Sequence, residues 1–373
     1  MSKQTFNFVG ELLIPRDAEN FYKSWHKTDD RGRTKARNSI KFGVKEGGRN
    51  VGYVTLTGFE MDDIRTYDTE GNQLIIDWAD RMQPEVARNV SFSRRYKVNL
   101  GKDYDEQTFV TQYDMVEYLA DVLPNYPDMV RVTGTWEKNP YKGRISDRFV
   151  IQNVYGVTPD TVPKLELTME AFYNGDCVNT QKSDGKIYLD CYIRQYLGQN
   201  GYVFFHQNAI LCNTAYEFES EVRTDDFVVR NVNPKHVALW EFKKSFLEGL
   251  SKKKMYRMAW NCRYINGAEE VSFDESMLTA TQKAAIEVGL ATLDDYKPKG
   301  DLYGSKIQEV RLASPKLTGD YAEGVVECDE KVDDILSQVF SFEEEESLEA
   351  AVAKEEKAVE KTVTIPEDED DLF

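Results

Sequence analysis

The chain has 373 residues, a formal net charge of −18 and five cysteines. That length holds about two ordinary domains plus a tail, and no run approaches the ~20 apolar residues of a membrane-spanning helix. The odd cysteine count, without any C-x-x-C, excludes a disulfide scaffold and points to thiols in a reducing compartment; with no apolar N-terminal stretch resembling a signal peptide, a cytoplasmic location is expected.

Along the chain, apolar–polar alternation predicts strands over 6–14, 38–45, 52–60, 73–78, 92–100, 129–137 and 144–155. Helical spacing of Val110, Tyr113, Met115, Val116, Leu119, Ala120 and Leu123 predicts a helix over 110–123, ending before Pro124. Residues 158–163, TPDTVP, read as a linker. Further strands are predicted over 164–173, 186–196, 202–214, 254–265 and 305–313, with a helix over 237–250. A shorter helix over 279–289 starts at a Thr cap. Each half thus reads as three strands, a helix and two strands, with 73–78 and 92–100 additional in the first half; that is the order of the OB-fold, a five-stranded, partly open barrel. The expected fold is mainly β with α insertions: two tandem OB-like five-stranded barrels, over 1–157 and 158–316. An acidic, largely disordered C-terminal tail over 317–373 follows. Any antiparallel α+β protein is the plainer alternative.

The charge is unevenly distributed. Residues 317–373 hold 20 Asp and Glu against 4 Lys, which leaves residues 1–316 with 45 acidic and 43 basic groups. A nearly balanced body can carry basic grooves that the whole-chain charge hides. So acidic a tail, with few large apolar groups, cannot offset the entropy of ordering. Two sticky points interrupt it: residues 332–342, and Leu372 with Phe373.

Several chemistries lack their residues. There is no P-loop, no G-x-G-x-x-G and no G-x-S-x-G, and the three histidines form no H-E-x-x-H. No cofactor, metal site or catalytic residue is expected. A metal-dependent nuclease is the main enzymatic competitor, because Asp77 and Asp80 follow an apolar strand and Asp128 precedes Glu137-Lys138. Glu137 and Lys138 are adjacent, however, and neighbours on a strand point to opposite faces.

Basic and aromatic residues interleave in five places. Trp25 leads into Arg31, Arg33, Lys35 and Arg37, then Lys41, which reads as a basic loop after the first strand. Phe92, Arg94, Arg95, Tyr96 and Lys97 form the second cluster. The third is Trp136, Lys138, Tyr141, Lys142 and Arg144, spanning a turn between two strands. Tyr192, Arg194 and Tyr196 alternate, so they share one face of a strand. Lys254, Tyr256, Arg257, Trp260 and Arg263 form the fifth. Single-stranded DNA is held by such pairs: cations on the phosphates and aromatic faces on the bases. The plainer reading puts the aromatics in the core and the cations on a solvated face.

The last seven residues, Glu367, Asp368, Glu369, Asp370, Asp371, Leu372 and Phe373, resemble the acidic, aromatic-ended tails of phage and bacterial single-stranded DNA-binding proteins. The resemblance covers the tail closely and the rest only by architecture. It departs in having Leu372 before the terminal aromatic, where bacterial tails have Ile-Pro-Phe, and in having two large barrels. The resemblance implies sequence-independent binding of single-stranded DNA in replication, recombination and repair. It also implies that Glu367–Asp371 compete with DNA for the groove and that Phe373 anchors replication or repair partners. Gln338-Val339-Phe340-Ser341-Phe342 loosely resembles a sliding-clamp peptide; docking on the body is the plainer reading. The alternatives are a phage structural or interaction protein that binds no nucleic acid, and a strand-annealing protein.

Overall fold

The computed structural model describes residues 4–28, 32–101, 103–180, 186–198, 201–212, 220–224, 227–231, 234–267, 270–271, 277–297, 302–303 and 307–342. Strand β1 (Thr5–Leu13) is followed by one helical turn, α1 (Ala18–Phe21), capped by the Asp17 carboxylate. Strands β2 (Tyr22–Thr28), β3 (Thr34–Gly47) and β4 (Asn50–Phe59) then form an antiparallel meander. A small lobe comes next, from the hairpin β5 (Asp63–Tyr67) and β6 (Gln73–Asp77) and the helix α2 (Pro84–Asn89). Strands β7 (Tyr96–Asn99) and β8 (Gln107–Phe109) lead to helix α3 (Gln112–Val122), and β9 (Val130–Tyr141) and β10 (Arg144–Gly156) close this half.

Five of these strands form a ring. β1 pairs with β3, β3 with β4, β9 with β10 and β9 with β1, all antiparallel, and β4 meets β10 in parallel through Val54 and Phe149. The helix between β4 and β9 covers one end of the ring. Thr111 caps α3 by accepting from the Asp114 amide at 3.1 Å, and Met115, Val116 and Leu119 turn inward. Gly58 lets this helix lie directly on β4, because a Cβ there would collide with the backbone of Tyr113. Arg81 ties the small lobe to the helix through two 3.1 Å bonds to the Asp114 carboxylate.

The second half repeats the plan. Its elements are β11 (Lys164–Tyr173), β12 (Val178–Asn179), β13 (Lys186–Tyr196) and β14 (Tyr202–Cys212), then a hairpin of β15 (Ser220–Thr224) and β16 (Phe227–Asn231). Helix α4 (Pro234–Lys244), β17 (Tyr256–Gly267), β18 (Glu270–Val271), α5 (Ala280–Glu287), β19 (Leu302–Tyr303) and β20 (Ile307–Pro315) follow. β11–β13, β13–β14, β17–β20 and β11–β17 pair antiparallel, and β14 meets β20 in parallel through Ile210 and Arg311. The protein is therefore mainly β, with most strands in one large sheet, in an order consistent with OB-like folds.

The two rings are joined by strand pairing and share a core. β1 pairs with β9 along one edge, and its other edge takes β11 at Thr5–Val9 and β3 at Glu11–Leu13. Phe6, Phe8 and Phe149 pack together in the first ring, and Tyr264 of β17 stacks on Phe8 with centroids 5.9 Å apart. Across the junction, Asn50 accepts from the Asn266 amide at 2.7 Å while Asn266 donates to the Val51 carbonyl at 2.9 Å.

Several elements differ from the sequence reading. Residues 22–28, read as part of a basic loop, form β2, fully paired with β3. The strand expected from 92 starts at Tyr96, because Phe92–Arg94 make a 3-10 turn. The helix expected to reach 250 stops at Lys244; the chain turns, buries Leu247 and reverses at Gly249 (φ 72°). The greatest correction concerns the tail. Residues 317–342 are built onto the second ring, with β21 (Val326–Glu327) paired to β17 and α6 (Val332–Leu336) inserting Ile335 at full burial. Their apolar anchors, Tyr321, Ile335 and Phe340, outweigh the acidic composition that argued for disorder. The rest of the tail, 343–373, lies outside the described residues.

Lys138 is a test of the junction. Its ammonium is nearly buried, 2.8 Å from Asp147 and 2.6 Å from Gln207 of the second ring. Removing one partner of a buried pair leaves the other charge uncompensated. Lys138→Ala is expected to lower stability by about 3 kcal/mol in urea unfolding; a loss below about 1 kcal/mol, the size of a surface pair, would contradict this placement.

Candidate nucleic-acid interface

The outer face of β2, β3 and β4 is where cations and rings meet. On β3, Asn38, Ile40 and Phe42 turn into the ring, so Arg37, Ser39 and Lys41 turn out. On β4 the same alternation buries Val54 and Leu56 and exposes Tyr53 and Phe59, at 47% and 46%. The Arg37 guanidinium lies 4.9 Å from the Trp25 ring and 4.4 Å from the Phe59 ring. Lys41 sits 5.7 Å from the Tyr53 ring. Tyr53 and Phe59 are six residues apart, roughly 20 Å along the strand, with Thr55 and Thr57 between them on the same face. Arg33 and Lys35 both meet Asp62 at 3.0 Å in exposed pairs, and the Lys35 hydrogen bond chiefly holds the Asp62 carboxyl below its usual range. Such pairs contribute little and exchange readily for another anion.

The second cluster stands beside this face. Val150 of β10 pairs with Thr55, and two residues on, Gln152 donates to the Ser93 carbonyl at 3.2 Å. That bond holds the Phe92–Arg94 turn against β10. Phe92 is 80% exposed, with the Arg95 guanidinium 4.4 Å from its ring. Arg95 is fixed by bonds to the carbonyls of Val90 and Arg88, both 2.5 Å. Arg94 faces Tyr67 at 5.6 Å. Tyr96 is half-buried, which raises its phenol, and Lys97 is taken by Glu106 at 2.8 Å.

The third cluster divides. Trp136 is 1% exposed, and its indole N–H donates to Asp147 at 2.8 Å. Trp136 and Lys138 are therefore interior groups and cannot meet a base or phosphate, contrary to expectation; on β9 they continue the inward row of Val130, Val132 and Gly134. Tyr141, Lys142 and Arg144 instead form the tip of the β9–β10 hairpin. Lys142 (φ 48°) and Gly143 (φ 72°) make a two-residue turn with both φ positive, the twist that suits a tight hairpin. Glu137 meets Arg148 and Lys138 meets Asp147, on opposite sides of the strand.

In the second ring, Tyr192, Arg194 and Tyr196 do share the outer face of β13. Arg194 lies 5.5 Å from Phe172 and 5.3 Å from Tyr202, and Tyr202 packs on Tyr196 at 5.3 Å. Much of this face is covered by the chain's own C-terminal segment. The Phe204 amide donates to the Gln338 carbonyl at 2.9 Å, and the Phe340 amide to the Phe204 carbonyl at 2.8 Å, a single parallel bridge between Val339 and β14. The Phe340 ring stacks on Phe205, and Ile335 is buried with Phe172, Phe204 and Met255. Tyr192 is partly buried here, which raises its phenol. A cleft of about 180 Å³ remains, where Arg194 and Arg257 face Glu327, Asp329 and Glu330. Burial pushes the Cys328 thiol in this cleft up to about 11.

The fifth cluster is not an open surface. Trp260 is fully buried; Lys254 pairs with Glu327 at 2.8 Å and Arg263 with Glu46 at 3.0 Å. Tyr256 pairs in register with Glu327, and Arg257 lies 5.7 Å from Tyr321 and 3.8 Å from the buried Glu170. Burial raises the Cys191 and Cys262 thiols well above their usual range, and all five cysteines are thiols. Among the described residues, no helix is long and apolar enough to cross a membrane. Arg31 and the tail residues Glu367, Asp368, Glu369, Asp370, Asp371, Leu372 and Phe373 lie outside the described residues.

Sequence reasoning missed Tyr53, Phe59, Tyr67 and Tyr202. The signal for the first two was present: Tyr53, Thr55, Thr57 and Phe59 alternate with Val54 and Leu56, which marks an outward row. The docked segment gives a direct test. Ile335→Ala removes about 2 kcal/mol or more of burial, so tryptic cleavage at Lys331 should quicken roughly thirtyfold through local opening. An unchanged cleavage rate would contradict docking at Ile335.

No protein-family model matches the chain, and no curated protein matches it. Among solved structures, the chain is similar to a crystal structure of a deletion mutant of the single-stranded DNA binding protein from Thermus aquaticus. The identity is 9%, with 70% of this chain and 86% of that chain covered and a TM-score of 0.28.

Proposed function

We propose that the chain is a non-enzymatic protein that binds single-stranded DNA without sequence specificity, through two OB-type barrels in tandem. The observation that carries this reading is the outer face of β2–β4, where Arg37 lies between Trp25 and Phe59, and Lys41 lies beside Tyr53. OB-folds bind oligonucleotides on the second and third strands of the barrel and on the adjoining loops. Here β3 and β4 take those positions, with β2 and the β9–β10 hairpin as the loop extensions. Aromatic faces accept any base, so specificity for sequence is not part of the reading.

The same reading places the protein in DNA replication, recombination and repair, of the phage type, in the host bacterial cytoplasm. The terminal residues Glu367–Phe373 compete with DNA for the cationic faces and recruit replication or repair proteins. A sliding clamp is a weaker candidate partner, since Phe340 packs on Phe205 and its amide is bonded to Phe204. The runner-up, an interaction protein that binds no nucleic acid, is favoured by one observation: acids of the C-terminal segment already face Arg194 and Arg257. A strand-annealing protein shares the binding chemistry and separates from the first reading only by an annealing assay.

Titration with oligo(dT) at several salt concentrations, followed by tryptophan fluorescence, tests the reading. Binding with a negative log-salt slope is expected; no binding at low salt would leave the interaction protein. Trp136 and Trp260 are buried, Trp78 packs on Tyr113 and Trp240 packs against the core, so Trp25→Phe should remove most of the quenching. Quenching that survives Trp25→Phe in full would move the site elsewhere. Lys41→Ala should reduce the log-salt slope by about 0.7, the share of one phosphate contact on a single strand.

A further inference from the structure

The tips of two hairpins, one from each ring, are brought to the same place. β9 leaves β1 after Trp136, whose amide makes the last bond on that side, to the Gln4 carbonyl at 3.2 Å. The next outward edge of β9 is Lys138, and it is met by a side chain of the other ring. The Lys138 amide donates to Gln195 Oε1 at 2.7 Å, and Gln195 Nε2 donates to the Lys138 carbonyl at 2.9 Å. The Gln195 amide thus replaces a rung of the sheet. A second anchor, Lys138 Nζ to Gln207 Oε1 at 2.6 Å, ties the same residue to β14.

What lies just beyond this latch is exposed and aromatic. Tyr141 is three residues on from Lys138, up to roughly 10 Å along the strand. Tyr196 follows Gln195 directly and packs on Tyr202 across the β13–β14 hairpin, at 5.3 Å. Tyr141, Tyr196 and Tyr202 are 63%, 61% and 59% exposed, although rings of this size are commonly covered. Each tip also carries cations: Lys142 is 5.2 Å from the Tyr141 ring, Arg194 is 5.3 Å from the Tyr202 ring, and Arg144 is paired in register with Tyr141. Among the described residues, none of these three cations holds an ion pair, whereas Lys97, Lys138, Lys254 and Arg263 all do.

We propose that the two tips form one subsite, built from Tyr141, Tyr196 and Tyr202 with Lys142, Arg144 and Arg194, that carries a single strand of DNA across the junction between the rings. The ligand follows from the chemistry. Three exposed rings, with Lys142 and Arg144 outside any ion pair among the described residues and Arg194 shared with the acids of the C-terminal segment, fit a polyanion with flat faces, and an acidic peptide would satisfy the cations but leave the rings in water. The proposal rests on the single-strand reading and adds a path to it. The strand runs from the β2–β4 face of the first ring to β13–β14 of the second, at the part of that face that the C-terminal segment leaves open. The latch fixes the two tips relative to each other, so the subsite is preformed and its rings need no ordering when the strand arrives.

The test is a triple substitution, Tyr141→Ala, Tyr196→Ala and Tyr202→Ala, in the full chain, with circular dichroism as a control for folding. All three rings are exposed, so the fold is expected to persist. Affinity for a long oligo(dT) should fall by roughly tenfold or more, since each lost stack is worth about tenfold. An oligo(dT) short enough for the β2–β4 face alone should change less than about twofold. A second measurement is photo-cross-linking of a 5-iodouracil oligonucleotide: one bound strand should label peptides from both tips. Equal affinity of wild type and triple variant for the long oligonucleotide, with label absent from both tips, would overturn the subsite while leaving the β2–β4 reading intact. Failure of the wild type to bind oligo(dT) at low salt would remove both.

Discussion

β1 divides its two edges among three partners, and the rest of the molecule depends on that division. One edge holds β9, and the other gives its first half to β11 and its second half to β3. A strand in an isolated ring would leave its first half open to water or to another chain. Here that edge is the seam between the rings. Gly10 marks the change of partner, because a Cβ there would collide with the Lys45 carbonyl. The β1–β11 pairing brings Tyr264 onto Phe8 and makes one hydrophobic core of both halves. It also sets how the rings face each other, and through the Lys138–Gln195 latch it decides which surface loops become neighbours.

Much of the fold could be read from the sequence, and the reasons are local. Alternation in 52–60 is strict, and helix α3 announces itself by spacing and Pro124. The mainly β content follows from these alternating runs. β2 was illegible because its residues, YKSWHKT, are mostly exposed and lack the inward row that marks a strand. Its pairing comes from the β3 edge alone. The seam was illegible too, since residue-level alternation says which face is buried but not which strand lies alongside.

The candidate binding residues were only half legible, for a related reason. A basic–aromatic cluster on a strand contains both parities, and parity decides which residues reach solvent. In the third cluster, Trp136 and Lys138 turn in, while Tyr141 and Lys142 escape only because the hairpin projects past the body. The C-terminal segment misled in the opposite direction. Its acids dominate the composition, but Tyr321, Ile335 and Phe340 at wide spacing find seats on the second ring, and a few buried side chains are enough to order residues 317–342. The acids it carries then lie over arginines that the sequence had marked for DNA.

The central claim is that bases lie on the outer face of β2–β4 and continue to the hairpin tips. Hydroxyl-radical footprinting of side chains, with and without bound oligo(dT), reads that directly. Trp25, Tyr53, Phe59, Tyr141, Tyr196 and Tyr202 should lose reactivity in the complex, while the exposed Leu290 keeps its own and the buried Trp136 and Trp260 stay unreactive throughout. Undiminished oxidation of Trp25, Tyr53 and Phe59 in a saturated complex would contradict the account.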